Sequence, residues 1–258
     1  MLEVTGLRVC YGDVCVVRDV SFTARENDWL MIVGPNGAGK STILAAIAQS
    51  APYTGEVRVC GLDLRRMKSA ARARAVGVLT QNHTVSFGFS VQELVELGRY
   101  AYSRGRLDQE DRRMVNEALA RTGLLERRRQ SLFTLSGGEL QRSFLAQVFA
   151  QDPQVLLLDE PMNHLDLAYQ RQLFALIADW AGQPGRAVIS VMHDLSVAKR
   201  YGTAALLLHE GRIIAEGTRG EAFNPESLQA VYGMDLYAWM RELSSVWGRR
   251  GEELEDDR

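Results

Sequence analysis

The stretch GPNGAGKST, from Gly34 to Thr42, has the spacing G-x-x-x-x-G-K-[ST]. Glycines in such a loop let successive backbone N–H groups converge on an anion, and the N-terminus of a following helix adds roughly half a positive charge. Gly34, Pro35, Asn36, Gly37, Ala38, Gly39, Lys40, Ser41 and Thr42 are therefore expected to cradle nucleotide phosphates. Lys40 would reach the β- and γ-phosphates, and Ser41 would hold Mg²⁺. The chain has only three lysines among 258 residues, so chance rarely supplies this match. VLLLDEP, further on, sets Asp159 and Glu160 at the end of an all-apolar run. If that run is a buried strand, both acids stand where ligands of open α/β sheets bind. Asp159 would then support Mg²⁺, and Glu160 would orient or deprotonate water.

LSGGELQ, residues 135 to 141, poses a harder question. Paired glycines where a helix begins cost about 1 kcal/mol each relative to alanine, so something requires bare backbone there. Ser136, Gly137 and Gly138 would open a helix whose buried stripe is Leu140, Phe144 and Val148. Its hydroxyl and unhindered N–H groups would form a second anion site. A chain already holding phosphates at Lys40 has little use for a second site in isolation. Two copies meeting head to tail would give it one.

The elements that must position these residues can be read from periodicity. LEVTGLRVCYG and VVRDVSF suit antiparallel strands around a turn at Tyr11-Gly12-Asp13, and WLMIVG followed by KSTILAAIAQS is a strand, loop and helix unit. GEVRVCG and AVGVLTQ are further strands. The pattern then turns helical from 90 to about 150, with Ser90 and Glu93 as a capping box, Gly98 as a stop, and an amphipathic helix at 108–122 facing Met114, Val115, Ala118 and Leu119 inward. An α/β rhythm returns with VLLLD, a helix near 167–181, AVISVMH, a short helix, and two strands joined by Glu210-Gly211.

A hydrophobic content of 46% supports a substantial core, and a net charge of −2 gives no field that would favour nucleic acid. Cys10, Cys15 and Cys60 fit no C-x-x-C pattern and are expected to be reduced, buried thiols. MLEVTGLRVCYGD lacks a basic-then-apolar leader pattern, and no window reaches 18 uninterrupted apolar residues, so the chain is expected to stay in the cytosol and span nothing alone. The acidic run near 252–257 reads as a solvated tail.

These motifs, in this order, resemble the nucleotide-binding subunit of ABC transporters over nearly the whole chain. The resemblance implies an α/β P-loop NTPase core with an antiparallel β subdomain and a helical subdomain at about 88–150, forming one domain over 1–235, with a C-terminal extension over 236–258. It makes LSGGELQ the signature that closes on ATP held by the partner subunit. It makes Tyr11 the adenine-stacking aromatic, Gln81 in LTQ a catalytic and Mg²⁺-shell residue, Asp166 in NHLD the D-loop aspartate, and His193 in VMHD the switch histidine. Met162 departs from the common pattern, in which Thr follows the acid. His83 and His164 inherit no role. ATP hydrolysis with Mg²⁺ is implied, along with a second copy of the chain and permease subunits that hold it at the cytoplasmic face of the membrane. HTVSFGFSVQELVELGRY and the later EDR resemble the subgroup importing iron-siderophores, haem and cobalamin, which also implies a substrate-binding protein. An exporter subunit and a soluble ATPase of the same superfamily are the alternatives.

Overall fold

The computed structural model describes residues 1–80, 88–103, 105–162 and 165–246. Gln81, His83, His164 and the acidic run at 252–257 lie outside the described residues.

In chain order the elements are β1 (Leu2–Tyr11), β2 (Val14–Ala24), β3 (Trp29–Val33), α1 (Lys40–Ile47), β4 (Thr54–Val59), β5 (Leu62–Asp63), α2 (Ser69–Ala75) and β6 (Val76–Leu79). Next come α3 (Val91–Leu97), α4 (Tyr100–Ser103), α5 (Gln109–Arg121), α6 (Gly137–Gln151), β7 (Val155–Asp159) and α7 (Leu167–Ala181). The chain continues with β8 (Ala187–Val191), α8 (Leu195–Tyr201), β9 (Ala204–His209), β10 (Arg212–Thr218), α9 (Arg219–Ala222), α10 (Pro225–Tyr232) and α11 (Leu236–Ser245).

Six strands form the central sheet in the order β10-β9-β3-β8-β7-β6, parallel except for β10. A four-stranded antiparallel sheet, β2-β1-β4-β5, lies beside it. All five residues of β3 and of β8 are buried, as continuous apolar runs in a doubly covered parallel sheet require. Side chains along β3 alternate between two cores. Trp29, Met31 and Val33 join the helical side, whereas Leu30 and Ile32 join α1 and the antiparallel sheet. One strand thus couples both halves to the loop that follows it.

The predicted capping box at Ser90 and Glu93 is present, and α5 buries Val115, Ala118 and Leu119 with Met114 half-buried. Gly98 ends α3, but not through a left-handed turn: its φ is −57°, and an added Cβ would lie 2.2 Å from the Gln147 carbonyl oxygen. The glycine lets α3 press against α6. Behind this contact, buried Arg99 donates to Asp111 at 2.8 Å and to the Ala150 carbonyl at 2.9 Å. A buried pair satisfied this way fixes geometry, and removing one partner would strand a charge.

Two expectations are corrected. The buried stripe of α6 is Gly138, Gln141, Leu145 and Val148, with Phe149 beside it, while Leu140 and Phe144 are only half-buried. Leu140 and Phe144 pack on the core from the flank of that stripe, and Gly138 opens it. The cysteines are not three buried thiols. Cys10 and Cys15 form a disulfide, and Cys60 is exposed. A register shift between Val9 and Cys10 explains the pairing: continuing the Val9–Val17 register would set Cys10 opposite Val16, and the irregularity brings Cys15 opposite instead.

Among the described residues no helix is long and apolar enough to cross a membrane.

Candidate functional site

The Gly34–Thr42 loop leaves the end of β3 and enters α1, whose N-cap Gly39 has φ 98°. Its Cβ would stand 2.9 Å from the Val16 carbonyl oxygen, so both backbone conformation and close approach call for glycine. Gly37 meets nothing within 4 Å, which leaves the cradle open where an anion would sit. Lys40 is 5% exposed and donates to the Gly34 and Pro35 carbonyls at 2.8 and 2.9 Å. Burial pushes its ammonium below the ordinary lysine range, with Glu160 and Asp159 working in the opposite direction.

Across the loop, the Ser41 hydroxyl donates to Asp159 Oδ1 at 2.9 Å, joining residues 118 positions apart. Burial pushes the Asp159 carboxyl up, the Ser41 hydrogen bond opposes that, and Glu160 adds to it. A hydroxyl and a carboxylate are hard oxygen donors, and among the described residues no cluster of three or more His, Cys, Asp or Glu could cage a metal. This donor set fits Mg²⁺, which keeps waters and phosphates as its remaining ligands.

Glu160 leaves β7 with φ 48°, a left-handed conformation that non-glycine residues rarely adopt. Its N–H donates to the Val191 carbonyl at 3.2 Å, and its carboxylate touches His193 Nε2. His193 follows β8 and precedes Asp194, the N-cap of α8, so two neighbouring parallel strands deliver acid and imidazole to one edge of the sheet. Tyr11 ends β1 at the tip of the hairpin, 52% exposed, and the adjoining strand β2 rests against Gly39 through Val16 and Val17.

Ser136, Gly137 and Gly138 stand apart. Ser136 N-caps α6 in a capping box with Glu139, whose carboxyl is held below the ordinary range first by the Ser136 backbone N–H. Among the described residues no hydrogen bond or ion pair joins 136–138 to the phosphate loop. The two glycines differ. An added Cβ at Gly137 would meet nothing within 4 Å, whereas at Gly138 it would lie 2.8 Å from the Tyr169 ring. Asp166 N-caps α7 and accepts the Tyr169 N–H at 2.9 Å. Met162 is half-buried against the core.

The family model for "ABC transporter" matches residues 17–163, more than half of the chain. The chain belongs to the ABC transporter family. Among curated members, it is 40% identical to the hemin import ATP-binding protein HmuV of Pseudomonas entomophila, over 92% of this chain and 94% of that one. It is 37% identical to the cobalamin import ATP-binding protein BtuD of Halobacterium salinarum, over 90% of this chain but only 58% of that protein's length. A solved ATP-binding cassette of the family, a dimer in a post-hydrolysis state with ADP and Pi, superposes with a TM-score of 0.75 at 26% identity, covering 85% of this chain and 99% of that one. The ABC ATPase fold expected from the motifs is therefore present.

Sequence reasoning missed two contacts of this ABC chain. Gln141, in the signature itself, donates to the Pro161 carbonyl at 3.0 Å, one residue beyond Glu160, and Tyr169 covers Gly138. The 3.6-residue period that joins Gly138 to Gln141 and Leu145 was the available signal.

Proposed function

We infer that the protein hydrolyses ATP to ADP and phosphate as the nucleotide-binding subunit of an importer for iron-siderophore, haem or cobalamin-type chelates. One observation carries the ATPase reading: the Ser41–Asp159 hydrogen bond assembles phosphate loop and acidic strand into one site, with Glu160 and His193 beside it. The import reading is supported by the relatives named for hemin and cobalamin import.

In this reading Lys40 exchanges the Gly34 and Pro35 carbonyls for β- and γ-phosphate oxygens, and Tyr11 stacks on adenine. Ser41, Asp159 and Gln81 hold Mg²⁺, which when bound neutralises charge on the phosphates. Glu160 takes the proton of the attacking water, His193 orients Glu160 and the γ-phosphate, and Gln81 helps place the water. Ser136, Gly137 and Gly138, with Asp166, serve the nucleotide of a second copy. ATP that touches both copies binds the closed pair better than the open one, so hydrolysis opens it.

The accompanying organisation is one ATPase domain over 1–235, with a helical subdomain at about 88–150 and an extension from 236. A groove of about 430 Å³ between α2, α3, α4 and α6 exposes Leu97 and Tyr100, an apolar surface that suits a permease segment and would hold the chain peripherally at the cytoplasmic face. Purification with the permease tests the import reading. Substrate-loaded binding protein should stimulate ATP hydrolysis by the reconstituted complex. Absence of any permease in the purified complex, or stimulation by cytosolic substrate alone, would contradict import.

A further inference from the structure

Gly138 lies on the buried face of α6, and what fills the space a side chain would take is the ring of Tyr169. An ideal Cβ would stand 2.8 Å from Tyr169 Cγ and Cδ1 and 3.0 Å from Cδ2, distances that no relaxed contact sustains. One turn further along α6, the Arg142 guanidinium lies over the same ring, 5.3 Å from its centroid. The ring is thus held by positions i and i+4 of a single helix face. Tyr169 in turn sits in the first turn of α7, where its N–H is the donor that Asp166 accepts. On the same side of α6, Gln141 reaches the Pro161 carbonyl.

We propose that Tyr169 is a positioning residue that locks the signature segment to Asp166, so that the two parts of this chain addressing a partner's nucleotide move as one body. The inference deepens the proposed trans role of Ser136–Gly138 and rests on it. A nucleotide that draws in the signature then also carries Asp166, and the Gln141–Pro161 contact passes the displacement toward Glu160. Gly138 is bare for its own chain's aromatic ring, and Gly137 is the position left open to an incoming phosphate.

The test is suppression. Gly138→Ala forces its methyl into the ring and should lower kcat for ATP hydrolysis about tenfold, the scale of an overpacked contact, while nucleotide affinity of the monomer stays unchanged. Tyr169→Ala should also lower kcat. Because the two residues share one space, the double variant should regain at least the activity of Tyr169→Ala and exceed Gly138→Ala. Tyr169→Phe, which keeps the ring, should retain activity within about twofold. If Tyr169→Ala does not fold, as thermal melts would show, Tyr169→Val replaces it, since it too withdraws the ring. Losses that multiply in the double variant, or full activity in Gly138→Ala, would overturn the lock. A parallel Gly137→Asp variant separates the two ideas. If it still forms ATP-dependent dimers, the trans reading fails, whereas suppression between 138 and 169 reports on the lock alone.

Discussion

The phosphate loop and the signature segment are both helix N-termini fed by glycines, yet they are finished differently. Around Lys40 every chemical group has a partner from its own chain: Lys40 on two carbonyls, Ser41 on Asp159, and Glu160 on His193. Three strands, β3, β7 and β8, converge to bring these groups together. Around Ser136 the same chain supplies a cap from Glu139, a packed ring and an arginine on the same helix, and an added Cβ at Gly137 would meet nothing within 4 Å. The first region is a site. The second is a capped helix N-terminus, its Glu139 N–H accepted by Ser136 Oγ and its Gly137 exposed, which fits the proposed role toward a second copy.

Substitutions can break each half separately. The largest effect is expected from Glu160→Gln, which should lower steady-state ATP turnover about 10²- to 10⁴-fold, the scale of losing a general base, while nucleotide still binds. Near-normal turnover would remove Glu160 from its role. Lys40→Ala should weaken nucleotide binding roughly 10- to 100-fold, since hydrogen bonds from a charged group contribute about 1.5–3 kcal/mol. Titration with a fluorescent ATP analogue measures this, and unchanged affinity would contradict the cradle. Tyr11→Ala should cost less, near the lower end of about 1–3 kcal/mol for stacking, because the ring is half in solvent.

The smallest effect has the opposite sign. Burial raises the Asp159 carboxyl, so the folded chain binds that proton more tightly than the unfolded chain. Its ionisation therefore destabilises the fold, increasingly as pH rises from the unfolded pKa through the folded one. Asp159→Asn keeps an acceptor for Ser41 and removes the charge. Its thermal midpoint should exceed that of the parent at pH 8 and match it more closely at pH 4, although hydrolysis is lost. A lower midpoint at pH 8 would show that the carboxylate stabilises the fold.

Much of the first region was legible in the amino-acid sequence because it is local. Gly34–Thr42 and Asp159–Glu160 are contiguous strings, and the helix expected at 167–181 spans Leu167–Ala181. What escaped depends on register and packing. Cys10 meets Cys15 only because the β1–β2 ladder slips by one residue, and no spacing rule contains that slip. The left-handed backbone of Glu160 follows from how β7 ends against β8, through its N–H on Val191, and an acidic residue does not advertise it. The start of the inward face of α6 was missed because glycine carries no hydrophobic signal: Gly138 begins the buried stripe, to which the expected Val148 belongs, while Leu140 and Phe144 flank it. That error bears on the signature directly: a side chain placed at 138 would disturb its own chain as well as any partner.

Gly137 therefore offers the cleanest test of the central claim that the signature serves a nucleotide on another copy. A Cβ added at Gly137 meets nothing within 4 Å in its own chain, and an aspartate in the first turn suits the helix dipole, so Gly137→Asp is expected to fold as the parent does, which thermal melts check. Facing a partner's polyphosphate, the same carboxylate repels it. Size-exclusion chromatography with light scattering on Glu160→Gln protein, which must first show a dimer that depends on ATP, compares that parent with Glu160→Gln/Gly137→Asp. The account predicts that the double variant binds ATP with parental affinity yet remains monomeric. An undiminished dimer, or loss of ATP binding by the monomer, would contradict it.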